Sequence, residues 1–105
     1  MKTRCTVFLM WVLITGLVHT EPAVADGAPV YLVEIGGAIS PGNADFLNAA
    51  IDRANTEGAG CLIVVLDTPG GLSESMRKMV MAIYASHVPV VVYVSPSGAR
   101  AASAG

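Results

Sequence analysis

Two turns rich in small residues carry the groups in this sequence that could do chemistry. The first is DTPGG at residues 67–71, which follows an apolar run. The second surrounds Ser103 near the end of YVSPSGARAASAG, residues 93–105. Only small side chains flank Ser103, so another group can approach its hydroxyl closely. A serine that attacks a carbonyl needs a base and N–H donors for the developing oxyanion. The two turns therefore suggest an acyl-transfer site.

Each turn offers a different part of such a site. Ser103 would supply the nucleophilic hydroxyl, and a helix beginning near it would favour negative charge there. Gly70 and Gly71 can adopt the φ values of a tight turn and direct a backbone N–H toward the same point. The N–H of Ala104 would be the second donor. The alternative is that both are ordinary strand-to-helix turns.

Three apolar runs predict strands that would place these turns together. The runs are Val30–Ile35, Cys61–Leu66 and Val88–Val94. Short connections and right-handed crossovers imply an α/β fold with a parallel sheet in the order strand, helix, strand, helix, strand. Ligands bind beyond the carboxyl ends of strands in such sheets, where both turns lie. The second run is apolar throughout, so we expect a central strand covered on both faces.

Apolar residues at helical spacing predict the two intervening helices. Asn43 is a possible N-cap of the first helix, and Gly58 and Gly60 follow its end. The predicted inward residues of the two helices are Phe46, Leu47, Ala50, Ile51 and Ala54 in the first, and Leu72, Met76, Met79, Val80 and Ile83 in the second.

The N-terminus has the pattern of a secretory signal peptide. Lys2 and Arg4 precede an apolar stretch from Val7 to Val18, and an A-x-A pattern ends at Ala25. The apolar stretch is shorter than the roughly 20 residues that span a bilayer. We therefore predict a cleaved signal at residues 1–25, with an uncleaved anchor as the alternative. The predicted domain occupies residues 26–105, a length close to the limit for a stable single core, so we expect it to be incomplete.

The composition of residues 26–105 excludes several classes of function. Four basic against seven acidic residues give a net charge of 4 − 7 = −3. This part of the sequence has no basic patch, so nucleic acid is not an expected partner. Cys61 alone cannot form an internal disulfide. The glycine-rich segment after the first strand lacks the phosphate-binding patterns. We expect no cofactor and no metal.

The two motifs together resemble a known family. DTPGG after an apolar strand, then a helix, a second apolar strand and GARAASAG at residues 98–105 look like the Clp-protease and crotonase-like superfamily. Within it, the match is to the NfeD family of membrane-associated serine proteases, partners of stomatin-like proteins. The resemblance covers residues 30–105. It implies a β-α-β-α-β portion of a ClpP/crotonase-like fold.

The resemblance also implies roles for individual residues. The family's nucleophile falls on Ser103, and its oxyanion-hole donors fall on the backbone of Gly70 and Ala104. Pro69 and Gly71 support the first turn. The family's general base is a lysine downstream of the nucleophile, and this sequence ends at Gly105, before any such position. We therefore expect this chain to be truncated before its base and to be inactive alone.

No residue within the chain replaces that lysine. His87 precedes the third strand whereas Ser103 follows it, which separates them by about 20 Å at roughly 3.3 Å per residue. His19 lies in the predicted signal peptide. Lys78 is expected on a solvated helix face, and Asp67 is expected to form the turn at the strand end. The alternatives for Arg100 are a solvent-facing turn residue or a contact with substrate or a neighbouring subunit.

The predicted function is an exported or membrane-associated serine endopeptidase that is acylated on Ser103. Its substrate would be a peptide or an apolar segment of a membrane protein, with a stomatin-like protein as a possible partner and a homo-oligomeric assembly. The alternative is a non-catalytic interaction module or a decayed gene fragment. A crotonase-like acyl-CoA enzyme is disfavoured by the export signal, because acyl-CoA chemistry belongs inside the cell.

Overall fold

The computed structural model describes residues 27–105, and the predicted signal peptide lies outside them. Three strands and two helices alternate along the chain. They are β1 (Val30–Gly36), α1 (Pro41–Thr56), β2 (Cys61–Asp67), α2 (Ser73–Ala85) and β3 (Val90–Val94). The strands form one sheet in the order β1-β2-β3, and both pairs are parallel. The predicted α/β fold with a parallel sheet is confirmed.

The core lies on one face of the sheet. Leu62, Val64 and Leu66 alternate along β2, and all three are buried in one cluster with residues of both helices, among them Leu47 and Met79. Alternation follows from the strand's two-residue period, which sends successive side chains to opposite faces. The helices and the central strand therefore share a single apolar layer.

The opposite face of the sheet is open within the described residues. Ile63 and Val65 of β2 are only half-buried there. Their neighbours on the flanking strands are exposed, with Leu32 at 59%, Val91 at 47% and Tyr93 at 59% of their full accessibility. The prediction that β2 is covered on both faces is therefore wrong for residues 27–105, because both helices contribute to the same core.

Ser40 rather than Asn43 caps α1. The backbone of Ser40 is extended, and its hydroxyl accepts a hydrogen bond from the Asn43 N–H at 3.3 Å. Pro41 then occupies the first turn, where a missing N–H costs nothing. Asn43 lies one turn inside the helix, and its side-chain amide donates to the Ala38 carbonyl at 2.9 Å. The prediction of Asn43 as N-cap was wrong because the helix begins earlier.

Three residues predicted to face the core are exposed instead. Leu47 and Met79 are buried, but their chain neighbours Phe46 and Val80 are 50% and 39% exposed. Adjacent residues on a helix point about 100° apart, so only one of each pair reaches the middle of the core. Leu72, which is 57% exposed, precedes α2 as its cap residue and does not belong to the helical stripe.

The third strand begins two residues later than predicted. Val88 lies in the loop before it, where its N–H donates to the Asn55 side-chain carbonyl at 3.0 Å. Pro89 has no N–H, but its carbonyl accepts from the Leu62 N–H at 2.9 Å. The regular ladder therefore starts at Val90. No helix within residues 27–105 has the length and apolar composition needed to cross a membrane.

The contrast between Leu47 and Phe46 can be tested by truncating each side chain. Leu47→Ala is expected to lower the free energy of unfolding by about 2–5 kcal/mol, because it opens a cavity in the core. Phe46→Ala should cost about 1 kcal/mol, since half of that ring is already in water. Urea denaturation of the two variants measures both values. Equal losses would contradict the observed orientation of α1.

Candidate active site

The chain beyond β2 remains paired with the segment that carries Ser103. Thr68 forms a parallel bridge with Ala101. The Thr68 N–H donates to the Arg100 carbonyl at 2.6 Å, and the Thr68 carbonyl accepts from the Ala102 N–H at 3.2 Å. These two bonds place residues 100–102 beside the end of the central strand. Ser103 is thereby carried to the carboxyl edge of the sheet.

Asp67 reinforces this pairing from the preceding position. One of its carboxylate oxygens accepts a hydrogen bond from the Arg100 N–H at 3.0 Å. Its backbone carbonyl accepts from the Gly37 N–H at 3.0 Å, on the other side of the strand. Asp67 thus ties the end of β2 to both flanking segments, in addition to the turn-forming role that the sequence predicted. The side chain of Arg100 is exposed.

A buried threonine shapes the Gly70 turn. The Thr68 side chain is fully buried, and its hydroxyl accepts from the Gly70 N–H at 3.1 Å and donates to the Gly70 carbonyl at 3.2 Å. The same carbonyl accepts from the Ile39 N–H at 2.8 Å. Pro69 lies between Thr68 and Gly70, and its ring holds its own φ near −65°. Both peptide groups of Gly70 are therefore held in one orientation.

The Gly70 turn lies directly against Ser103. Gly70 has a φ of +116°, and a Cβ built on it would lie 2.7 Å from the Ser103 Cβ and 3.3 Å from its Oγ. No side chain fits there, so this position requires glycine for space as well as for backbone conformation. A Cβ on Gly71 would overlap the backbone of Ile39. The structure thus brings the two turns together, as the strand order predicts.

Ser103 itself has a strained backbone. Its φ of 53° makes it the one non-glycine residue with positive φ in residues 27–105. The turn around it is closed by a hydrogen bond from the Gly105 N–H to the Ala102 carbonyl at 2.9 Å, and Ser103 is exposed. Left-handed backbone at a non-glycine residue is uncommon, and such strain often accompanies functional sites.

The expected helix at Ser103 is not among the described elements. Residues 103 and 104 form a turn, and the last described helix is α2. Ser103 therefore lies in a tight turn within the described residues. A helix that begins near Ser103 stays a prediction.

The backbone N–H groups of Gly71 and Ala104 have no acceptor among residues 27–105, and neither does the N–H of Ser103 itself. The N–H of Gly70, by contrast, bonds the Thr68 hydroxyl. Sequence reasoning named Gly70 and Ala104 as donors, and it did not identify Thr68 as the partner of Gly70. A buried threonine two residues before a glycine is the signal that would have found this contact, because Ser and Thr side chains commonly bond the N–H two positions ahead.

An apolar cavity of about 310 Å³ opens beside the serine. Ser103 contributes the single polar side chain of its lining, and every other lining residue is apolar or glycine. The lining residues are Ile35, Ile39, Leu47, Val64, Leu66, Met76, Met79, Val80, Ile83, Val92, Ala101, Ser103, Ala104 and Gly105. With the Ser103 hydroxyl at its edge, the cavity can hold an apolar side chain of a peptide while the neighbouring carbonyl of that peptide contacts the hydroxyl.

The described residues do not bring a base to this hydroxyl. No His, Lys, Asp or Glu of residues 27–105 lines the cavity. His87 is exposed in the loop before β3, where its N–H donates to the Asn55 side chain at 3.1 Å, and Lys78 is exposed on α2. Over the same residues, no cluster of three or more His, Cys, Asp or Glu side chains could hold a metal ion.

Solved protein structures with the same arrangement of strands and helices define the class of this fold. A serine-to-alanine mutant of the 1510-N membrane-bound stomatin-specific protease superposes with a TM-score of 0.73 at 39% identity, covering 75% of this chain and 38% of that chain. A lysine-to-alanine mutant of the same protease, in complex with a substrate peptide, gives 0.73 at 40% identity, covering 76% and 36%. The fold is that of a ClpP-like protease domain.

Sequence relatives identify the family. The chain is 42% identical over 76 residues to membrane-bound protease PH1510 of Pyrococcus horikoshii, covering 72% of this chain and 17% of that protein. It is 35% identical over 83 residues to membrane protein NfeD1b of Bacillus subtilis, covering 79% and 18%. No protein-family profile matches the chain. The chain belongs to the NfeD family, as its motifs predicted, and it spans less than a fifth of the length of these two relatives.

The contact between Gly70 and Ser103 predicts unequal effects at two glycines with positive φ. Gly98→Ala, where a Cβ meets nothing within 4 Å, should cost about 1–2 kcal/mol of backbone strain. Gly70→Ala adds an overlap with the Ser103 side chain and should cost about 1–3 kcal/mol more. NMR spectra should show the Ser103 resonances displaced by Gly70→Ala alone. Undisturbed Ser103 resonances in Gly70→Ala would contradict the observed packing.

Proposed function

We propose that this protein is a membrane-associated serine endopeptidase with Ser103 as its nucleophile. The observation that carries the proposal is the exposed Ser103 hydroxyl, on a strained turn packed against the Gly70 turn. The relatives support the reaction class, since they are described as membrane-bound proteases. Serine and lysine are the residue types replaced in the two solved mutants.

The proposed reaction has two halves. The Ser103 Oγ attacks the carbonyl carbon of a peptide bond while a general base takes its proton, and a tetrahedral oxyanion forms. The C–N bond then breaks, the amine leaves with the proton, and an acyl ester remains on Ser103. Water, activated by the same base, hydrolyses the ester and restores the hydroxyl. Backbone N–H donors aimed at the oxyanion lower the activation barriers of both acylation and hydrolysis of the acyl ester.

The oxyanion donors come from both turns. Ala104 supplies one N–H, immediately after the nucleophile. Resemblance to the family assigns the second to Gly70, whose N–H bonds the Thr68 hydroxyl in this structure. The N–H of Gly71 has no acceptor among residues 27–105 and is the alternative second donor. In either case Pro69 and the two glycines form the wall that faces the reacting carbonyl.

A lysine acts as the general base in this proposal. The family places its lysine C-terminal to the nucleophile, whereas Lys78 is N-terminal to Ser103 and exposed on α2. Since the chain spans 17% of the length of PH1510, activity is to be measured on the protein expressed from its complete reading frame.

The substrate is proposed to be an apolar peptide segment of a membrane protein. The apolar lining of the cavity beside Ser103 supports this choice, because a charged side chain would be desolvated there without a partner. A stomatin-like protein is a proposed partner, since the solved relatives are described as stomatin-specific. In this proposal an apolar side chain of the substrate occupies the cavity, and the adjoining peptide carbonyl of the substrate lies at Ser103.

Export and self-association complete the proposal. The predicted signal peptide at residues 1–25 supports translocation, and the relatives are described as membrane proteins. The exposed apolar residues on the open face of the sheet support a homo-oligomer. Cell fractionation followed by sedimentation of the extracted protein measures both. A monomer confined to the cytoplasm would contradict this part of the proposal.

Replacing the nucleophile is the direct test. Ser103→Ala is expected to lower peptidase activity by at least about 1,000-fold, because the attacking oxygen is lost, and to abolish covalent labelling by a serine-directed phosphonate. Ser97→Ala is the matched control, since Ser97 is also exposed and lies in the preceding turn. It should retain full activity. The measurement is peptide cleavage and mass-spectrometric labelling of the full-length protein.

Two results would contradict the assignment. Unchanged cleavage by Ser103→Ala would exclude Ser103 as nucleophile. A full-length protein that neither cleaves peptides nor accepts the phosphonate would favour the non-catalytic interaction module.

The cavity predicts a preference that can be tested separately from the nucleophile. Val80→Glu introduces a charge into the lining and should lower kcat/KM for apolar peptides by about 10-fold or more, with phosphonate labelling of Ser103 retained. Met81→Glu is the control, because Met81 is 61% exposed and does not line the cavity. Peptide-cleavage kinetics measure the difference. Equal losses in the two variants would contradict a substrate-binding role for the cavity.

A further inference from the structure

Thr68 lies in the first turn, is not among the predicted site residues, and contacts both turns. Every polar atom of Thr68 is engaged with one turn or the other. Its N–H and carbonyl bond Arg100 and Ala102, on the segment that leads to Ser103. Its hydroxyl bonds the N–H and the carbonyl of Gly70.

Burial makes these contacts persistent. Thr68 has an accessibility of 0%, so water does not compete for its hydroxyl or its peptide groups. A buried hydroxyl without a partner is unfavourable, and the partners here both belong to Gly70. The hydroxyl can satisfy its donor and its acceptor function only while the Gly70 peptides keep their present orientation.

The methyl group of Thr68 reaches the other side of the nucleophile turn. A Cβ built on Gly105 would overlap Thr68 Cγ2, so the chain after Ser103 passes directly over this methyl. The hydroxyl thus faces the glycine turn and the methyl faces the serine turn. A single buried side chain fills the space between the two segments that meet at Ser103.

We propose that Thr68 is a positioning residue, whose hydroxyl fixes the Gly70 peptide relative to Ser103. The inference rests on the proposed function, in which the Gly70 turn forms the wall opposite the reacting carbonyl. The Thr68 hydroxyl holds the Gly70 N–H and carbonyl in one orientation, and the peptide group of Gly71 is thereby presented at a constant angle. Thr68 does not touch substrate. It acts on the rate through the geometry of the turn.

The expected effect on the reaction rate follows from how little displacement an oxyanion site tolerates. Oxyanion donors must meet the oxyanion at 2.7–3.1 Å. A displacement of about 1 Å in a positioned group can lower the rate about 100-fold. Without the hydroxyl, the Gly70 peptide loses two hydrogen bonds and retains the Ile39 contact to its carbonyl. The turn can then rotate about its glycines, because glycine has little preference between positive and negative φ.

The test uses two substitutions of Thr68 in the full-length protein. Thr68→Val keeps the shape and removes the hydroxyl, whereas Thr68→Ser keeps the hydroxyl and removes the methyl. Thr56→Val is the matched control, because Thr56 is exposed at the end of α1. The measurements are kcat and KM for peptide cleavage, the rate constant of phosphonate labelling at Ser103, and amide hydrogen exchange at Gly70, all well below the melting temperature.

Thr68→Val is expected to lower kcat and the labelling rate by about 10- to 100-fold, with KM changed less than about threefold. Its Gly70 amide should exchange faster. Thr68→Ser should retain most of the activity, and Thr56→Val should match the unmodified protein. A purely structural role would lower the melting temperature without changing the labelling rate of the folded protein.

Three results would overturn the inference. They are a labelling rate for Thr68→Val equal to that of Thr56→Val, a Thr68→Ser variant as slow as Thr68→Val, or an unchanged Gly70 amide exchange rate in Thr68→Val. Failure of the proposed function is a separate result, because it would appear as unchanged cleavage in Ser103→Ala. The exchange rate of the Gly70 amide tests the role of Thr68 in the turn in that case as well.

Discussion

The pairing of Thr68 with residues 100–102 is the constraint on which the rest of the site depends. It joins the chain beyond β2 to the segment that follows β3, so that the chain leaving β3 returns to the central strand. The bond from the Arg100 N–H to the Asp67 carboxylate holds the same register. Without this pairing, Ser103 would end a free loop, and the distance between the two turns would not be fixed.

The remaining features of the site follow from the short distance between the Gly70 turn and the Ser103 turn. Gly70 must lack a side chain because Ser103 occupies the space where a Cβ would project. Ser103 adopts positive φ because its turn must close over Thr68 within three residues. Strain of this kind persists where the surrounding structure determines the backbone more strongly than the residue does. Here the surroundings are a paired strand end on one side and a glycine turn on the other.

The open face of the sheet and the apolar cavity have a related origin. Both helices pack on one side of three strands, so the cavity beside Ser103 is lined by residues of the main core. The proposed substrate cavity and the folding core therefore share side chains such as Met79. The other face leaves Leu32 and Tyr93 exposed.

The sequence by itself determined the order of the elements, the fold class and the two turns, because apolar periodicity and runs of small residues are local properties. It also identified the family through DTPGG and GARAASAG. Tertiary structure decided which of Phe46 and Leu47 enters the core, and that Thr68 takes the Gly70 N–H and packs between the turns. The physical reason is that the pairing around Thr68 joins residues more than 30 positions apart, as the Asp67–Arg100 bond does. Spacing along the chain cannot specify which donor meets which acceptor across that separation.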